Sequence, residues 1–251
     1  MSGGSDGAGG GGQAPGDIAD PAHRAGDLFP DDIRKKFEFY SYRNAATILA
    51  HSYPAHFEAL IASLRNFSFT TDMIRRPGGS KGPIATLFED SFSDEWREVR
   101  ISADLLVRLH PAKGGSEAVI AEYQRSGYFD GHRIDLLNGK VALDIEWNSK
   151  DQTYDRDLYA FGAFYEAGAI DIGIIFTRGM AMNNAFFQSL GPILNKDGTE
   201  GPTMTAAKFG ASTTGMGKLL YRLEAGRNGG CPVLAIGITP TCVSDWTPPA
   251  A

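Results

Sequence analysis

The sequence predicts one mixed α/β (α+β) domain, a central mixed β-sheet with helices on its faces. Three observations carry this. Short runs rich in Val, Ile and aromatic residues alternate along the chain with segments of helical period. Asn138 and Gly139 stand between two apolar runs, the strongest short signal for an antiparallel hairpin. Residues 170–177 are apolar and β-branched without alternation, as a strand covered on both faces should be.

Taken in order, residues 1–27 are mainly Gly, Ala, Asp and Ser, with four consecutive glycines from Gly9 to Gly12. Such a segment buries too little apolar surface to offset its ordering entropy, so a disordered tail is expected, with residues 28–251 forming a single domain. Phe37, Phe39, Tyr40 and Tyr42 predict an aromatic strand. Phe57, Leu60, Ile61 and Leu64 recur at helical spacing and predict a helix with one face in the core. Gly78, Gly79, Ser80, Lys81 and Gly82 superficially resemble a phosphate-binding loop, but Pro83 stands where Ser or Thr would open the helix. An ordinary surface loop is expected there, with no nucleotide cofactor.

Residues 99–109 alternate enough for a strand, and Gly114, Gly115 and Ser116 then introduce a helix capped by Ser116, with Glu117 in its first turn. Residues 134–137 and 141–145 form the hairpin. Residues 157–168 read as a helix with Leu158, Phe161, Phe164 and Tyr165 inward, and residues 170–177 as a buried strand. Further helices are expected over 181–190 and from Ser212, Thr213 and Thr214 to about Leu223, before a last strand at 233–238.

Composition narrows the function classes. The chain has 24 Lys and Arg against 30 Asp and Glu, a formal charge of -6. That argues against a protein that coats nucleic acid, because phosphate neutralisation supplies most nonspecific affinity. An enzyme that grips one site in a cleft needs only local positive charge. No stretch reaches the roughly 20 apolar residues of a membrane span, and no apolar secretory segment opens the chain, so a cytoplasmic protein is expected. Cys231 and Cys242 lack CxxC or histidine spacing, so both are expected as reduced thiols without zinc.

The stretch from Asp135 to Lys150 reads DLLNGKVALDIEWNSK. Asp135 ends one hairpin strand, while Asp144 and Glu146 lie two residues apart on the other and share one face. Burying three carboxylates beside Val141, Leu143 and Ile145 is costly unless a cation neutralises them. Magnesium suits such hard oxygen ligands. An exposed acidic edge strand explains the spacing equally well.

Asp135, eight residues and then Asp144-Ile145-Glu146 resemble the PD-(D/E)xK nuclease core, in the form found in type II restriction endonucleases of the BamHI and BglII kind. The segments LDIEWNSKDQTYDRDLYAF, GAIDIGIIFTRG and FGASTTGMGKLLYRLEAGRNGGCPVLAIGI are similar to the same group, so the resemblance covers about 113–238. It implies a restriction-endonuclease-like fold in a bacterial, cytoplasmic protein. It also implies Mg2+ as cofactor, replaceable by Mn2+, double-stranded DNA as substrate and a homodimer. Asp135 and Asp144 would then hold the metal, Glu146 would orient the attacking water, and Glu117 would complete the metal-binding cluster, with Glu122 in reserve. Two rivals stand beside this reading: an inactive DNA-binding protein on the same fold, and a monomeric nicking or repair nuclease.

Reading a DNA sequence requires side chains at base edges, with phosphate contacts for positioning. Asn148 and Ser149 follow the acidic strand directly, and Lys150 and Arg156 could hold phosphates. Ser212, Thr213 and Thr214, with Lys218 a turn later, form a hydroxyl-rich helix start suited to DNA contact. A strand-ending turn explains Asn148 as well, and plain capping explains the hydroxyls as well. Asp155 and Asp157 are expected to cap the helix that follows.

Overall fold

The computed structural model describes Asp20 and residues 22–77, 82–113 and 118–248. Helices α1 (Ala22–Asp27) and α2 (Asp31–Arg34) precede strand β1 (Phe37–Tyr42), which is followed by helices α3 (Ala45–Ser52), α4 (Pro54–Asn66), α5 (Thr71–Arg75) and α6 (Pro83–Glu89). Strands β2 (Arg97–Leu109), β3 (Ala121–Asn138) and β4 (Val141–Glu146) come next, then α7 (Thr153–Glu166), β5 (Ile172–Arg178) and α8 (Asn184–Ser189). The chain ends with β6 (Pro192–Leu194), β7 (Glu200–Met204), α9 (Thr205–Lys208), α10 (Met216–Glu224), β8 (Val233–Ile238) and a 3-10 turn at Pro240–Cys242.

Six strands form the central sheet in the order β1-β8-β5-β4-β3-β2, while β6 and β7 pair separately. The middle strands β4, β5 and β8 run parallel, and β1, β3 and β2 join antiparallel. The parallel strands are buried along their whole length, which explains their near-continuous apolar sequences. Val141, Leu143 and Ile145 of β4 face one core together with Leu49, Leu60, Ile74 and Phe88 of α3 to α6. Ala142 faces the other, with Leu158 and Phe161 of α7 and Leu219 and Leu223 of α10. The two-residue strand period therefore turns Asp144 and Glu146 toward α7. Close packing of α7 is possible because β5 has Gly173 beneath the Phe161 ring, where a Cβ would overlap the ring atoms.

Several sequence expectations shift. Part of the expected tail is ordered: α1 packs with Ala25 in the core, and the Asp20 amide donates to the Ser41 carbonyl at 2.8 Å. Residues 1–19 and 21 lie outside the described residues, as do Gly78, Gly79, Ser80 and Lys81; Pro83 does open a helix, α6. The hairpin turn is centred one residue later than expected, on Gly139 and Lys140, with Gly139 at φ 55° where a side chain would be strained. No helix follows Ser116 into residues 118–120; the chain instead enters β3, which runs antiparallel to β2 as a long ribbon. The helix expected at 157 starts at Thr153, and that expected at 181 starts at Asn184, capped by the Asn183 side chain. No helix is long and apolar enough to cross a membrane among the described residues.

Candidate active site

The β3–β4 ladder opens where the carboxylates sit. Regular pairing ends at Leu136 and Leu143. Beyond that point the Asp135 amide donates to Asp144 Oδ1 at 3.0 Å, and the Ile145 amide donates to Asp135 Oδ2 at 2.9 Å. Side chains thus replace backbone acceptors and hold both carboxylates at the splayed end of the hairpin. Glu146, one strand period further, accepts from the Thr153 hydroxyl at 3.1 Å. The three acids expected to converge do so, on one face and lining one cavity of about 250 Å³.

Asp144 is 3% exposed and its Oδ2 has no hydrogen-bond partner. Burial, together with the charges of Asp157 and Asp135, raises its carboxyl well above the usual carboxylate range. Burial also raises Glu146. Asp157 is 1% exposed and does not cap α7; because that helix begins at Thr153, Asp157 falls on its inward face beside Leu158. Burial and the Glu146 charge push it up to about 8, although Arg156 contacts its Oδ1 at 2.9 Å. Asp155 is no cap either, and pairs with Arg222 at 2.9 Å and with Arg227. His132 of β3 approaches Asp144 Oδ2 to 4.0 Å, and burial with the Arg156 charge brings it down to about 4, leaving the imidazole neutral at pH 7.

Glu117 lies outside the described residues. Glu122 is on the outer ribbon, thirteen residues before Asp135 on the same strand, exposed and paired with Arg108 at 2.7 Å. At about 3.3 Å per residue it stands far from the cluster. The acid that lines the cavity is Glu98 of β2, next to Asp135, Asp144 and Glu146, with Arg133 at 3.3 Å from it. The sequence offered only one hint of it, a Glu opening a strand that pairs with the strand of Asp135.

A larger cleft of about 880 Å³ shares Glu98, Arg133, Asp135 and Glu146 with this cavity and extends along Asn148, Ser149 and Lys150 toward α6. It lies at the C-terminal end of the parallel strands, where open α/β sheets bind ligands. An antiparallel bridge joins Lys150 to Thr213, and the Thr214 amide donates to the Ser149 carbonyl at 2.9 Å. Two segments singled out separately for DNA contact are therefore one surface. Their hydroxyls do not cap α10, whose N-cap is Gly215. Ser212 is exposed; Thr213 accepts from Arg178 at 2.8 Å; Thr214 is buried. Lys218 is taken up by the Ala211 and Thr213 carbonyls, and Arg156 by Asp157. Lys150 lines the cleft.

Arg178 is a residue the sequence did not single out. Buried at the end of β5, it donates to the Trp147 carbonyl at 2.9 Å and to Thr213 and Thr214, and it lies 5.3 and 5.0 Å from the Phe187 and Phe209 rings. It fastens the segment after Glu146 to the 213–214 segment. Cys231 and Cys242 are free, buried, and raised by burial to about 12, which leaves them unreactive thiols.

The family described as Restriction endonuclease BglII/BglIII matches the chain over residues 37–238, which include every strand of the sheet and the whole acidic cluster. No curated protein matches it individually. The chain belongs to that restriction endonuclease family, and its substrate is accordingly DNA.

Proposed function

We propose that this restriction endonuclease is a type II enzyme that hydrolyses both strands of double-stranded DNA at a specific site, using Mg2+, with Mn2+ able to replace it, and leaving 5'-phosphate and 3'-hydroxyl ends. One observation carries the reading: Asp135, Asp144 and Glu146 share a cavity beside the cleft, and burial raises Asp144 and Glu146 as it would for carboxylates awaiting a cation. All are hard oxygen donors, which suits Mg2+. Asp135 and Asp144 would hold the ion, and Glu98 completes the acidic lining in the role expected of Glu117. When bound, the ion supplies charge stabilisation at the scissile phosphate and lowers the pKa of attacking water.

The remaining steps belong to the chain. Glu146, held by the Thr153 hydroxyl, orients the water and receives its proton. Lys150 and Arg133, both lining the cleft, attract phosphates. Asn148 and Ser149 meet base edges, and Arg178 keeps their segment in register with Thr213. A homodimer is the natural assembly for a two-fold DNA site, each subunit cutting one strand.

The test is incubation with unmethylated phage DNA in Mg2+ and in EDTA, followed by sequencing of the ends. Discrete fragments that require Mg2+ and carry 5'-phosphates are expected. Intact DNA under all conditions, together with a specific gel shift, would overturn the catalytic reading in favour of a DNA-binding protein.

A further inference from the structure

We infer that His132, Asp144 and Asp157 form a second divalent-cation site, one with a nitrogen ligand and a preference for Mn2+ or other transition ions over Mg2+. One ligand atom from each of the three residues lies within 4.8 Å of the others. In the same three side chains His132 Nε2, Asp144 Oδ2 and Asp157 Oδ2 are buried atoms without any hydrogen-bond partner. Buried polar atoms are ordinarily satisfied, and three unsatisfied ones in one cluster call for a shared partner. Two nearby donors are engaged elsewhere: Arg156 with the other oxygen of Asp157, and the Asp135 amide with the other oxygen of Asp144.

Donor chemistry points the same way. One imidazole with two carboxylates is a borderline donor set that suits transition ions, whereas Mg2+ favours oxygen ligands and retains its water. An ion can enter, since His132 and Asp144 both line the cavity of about 250 Å³. The inference rests on the proposed function only in that both use Asp144.

The experiment is pulsed electron paramagnetic resonance of the full chain loaded with Mn2+, with Mn2+ binding measured by equilibrium dialysis. The parent should show nitrogen modulation from a coordinated imidazole and about two Mn2+ per chain. His132→Gln should abolish the modulation and remove about one ion, while Asp157→Asn should weaken that ion's binding about 10-fold or more yet preserve the fold. Absence of nitrogen modulation in the parent would overturn the second site even if Mg2+-dependent cleavage is intact. Modulation that survives His132→Gln would overturn it equally. A parent that shows the nitrogen signal but cuts no DNA would retract the proposed function and leave the site standing.

Discussion

On β4, Asp144 and Glu146 are buried on the face turned toward α7; on the outer β2–β3 ribbon, Glu122 and Asp130 stand in solvent, each matched by an arginine, Arg108 at 2.7 Å and Arg100 at 2.5 Å. Both regions belong to one sheet, and both carry acids at strand spacing. Water and a private counter-charge satisfy the ribbon's carboxylates at almost no cost. Those of β4 are buried and have no counter-charge of their own, since Arg156, 3.9 Å from Glu146, is held by Asp157 at 2.9 Å, and their burial is tolerable only with shared protons or cations. Burial without a private counter-charge therefore marks Asp144 and Glu146, whereas Glu98, exposed and 3.3 Å from Arg133, is marked only by its place in the cavity lining; an acidic residue in a strand is not sufficient.

Asp144→Ala should give the largest effect, lowering Mg2+-dependent cleavage by roughly 1,000-fold or more while lowering stability in EDTA by no more than about 1–3 kcal/mol, the cost of leaving the Asp135 amide without its acceptor. Parallel cleavage and melting curves check this; a large loss of stability would break the contrast. Glu98→Gln should cost about 10- to 100-fold in cleavage or metal affinity, as removal of a supporting acid does. Glu117→Gln in the same assay sharpens the point, since a larger loss there would return the role to the acid that the sequence pattern favoured.

Gly173→Ala should cost about 1–3 kcal/mol by forcing Phe161 and α7 from the sheet, seen as a lower denaturant midpoint. Stability should also depend on pH in metal-free protein. Asp157 titrates at about 8 folded against about 4 unfolded, so between those values the folded state binds more protons. Its contribution falls as pH rises through that window and is constant outside it. Melting in EDTA at pH 5 and 8 should show the decline, and Asp157→Asn should flatten it. The smallest effect belongs to the ribbon: Glu122→Ala should change stability by less than about 1 kcal/mol and leave cleavage as it was. A cleavage defect there would collapse the distinction between the two regions.

The same contrast explains what was legible in the sequence. Asp144 and Glu146 stood out because VALDIE is otherwise a buried strand, and the period of two fixes their common face. The three parallel strands were visible for the same reason. Asp157 reads as a cap because α7 begins at Thr153 without any side-chain cap to announce it, which moves Asp157 to the inward face. The helix expected after Ser116 rested on a local cap signal alone; the residues after it carry the ribbon strand β3 instead. Glu98, His132 and Arg178 join the site only through long-range pairing, Glu98 and His132 through the β2–β3 ribbon and Arg178 through the parallel β4–β5 register. No window of sequence contains that information.

The most direct measurement is single-turnover cleavage of a supercoiled plasmid bearing the enzyme's site, in Mg2+, by the parent and by Asp135→Ala and Asp144→Ala proteins of equal folded content. Loss of both strand cuts in both variants is the expected result. Cleavage at the parent's rate by either variant would contradict the assignment of the β4 carboxylate cluster as the catalytic centre.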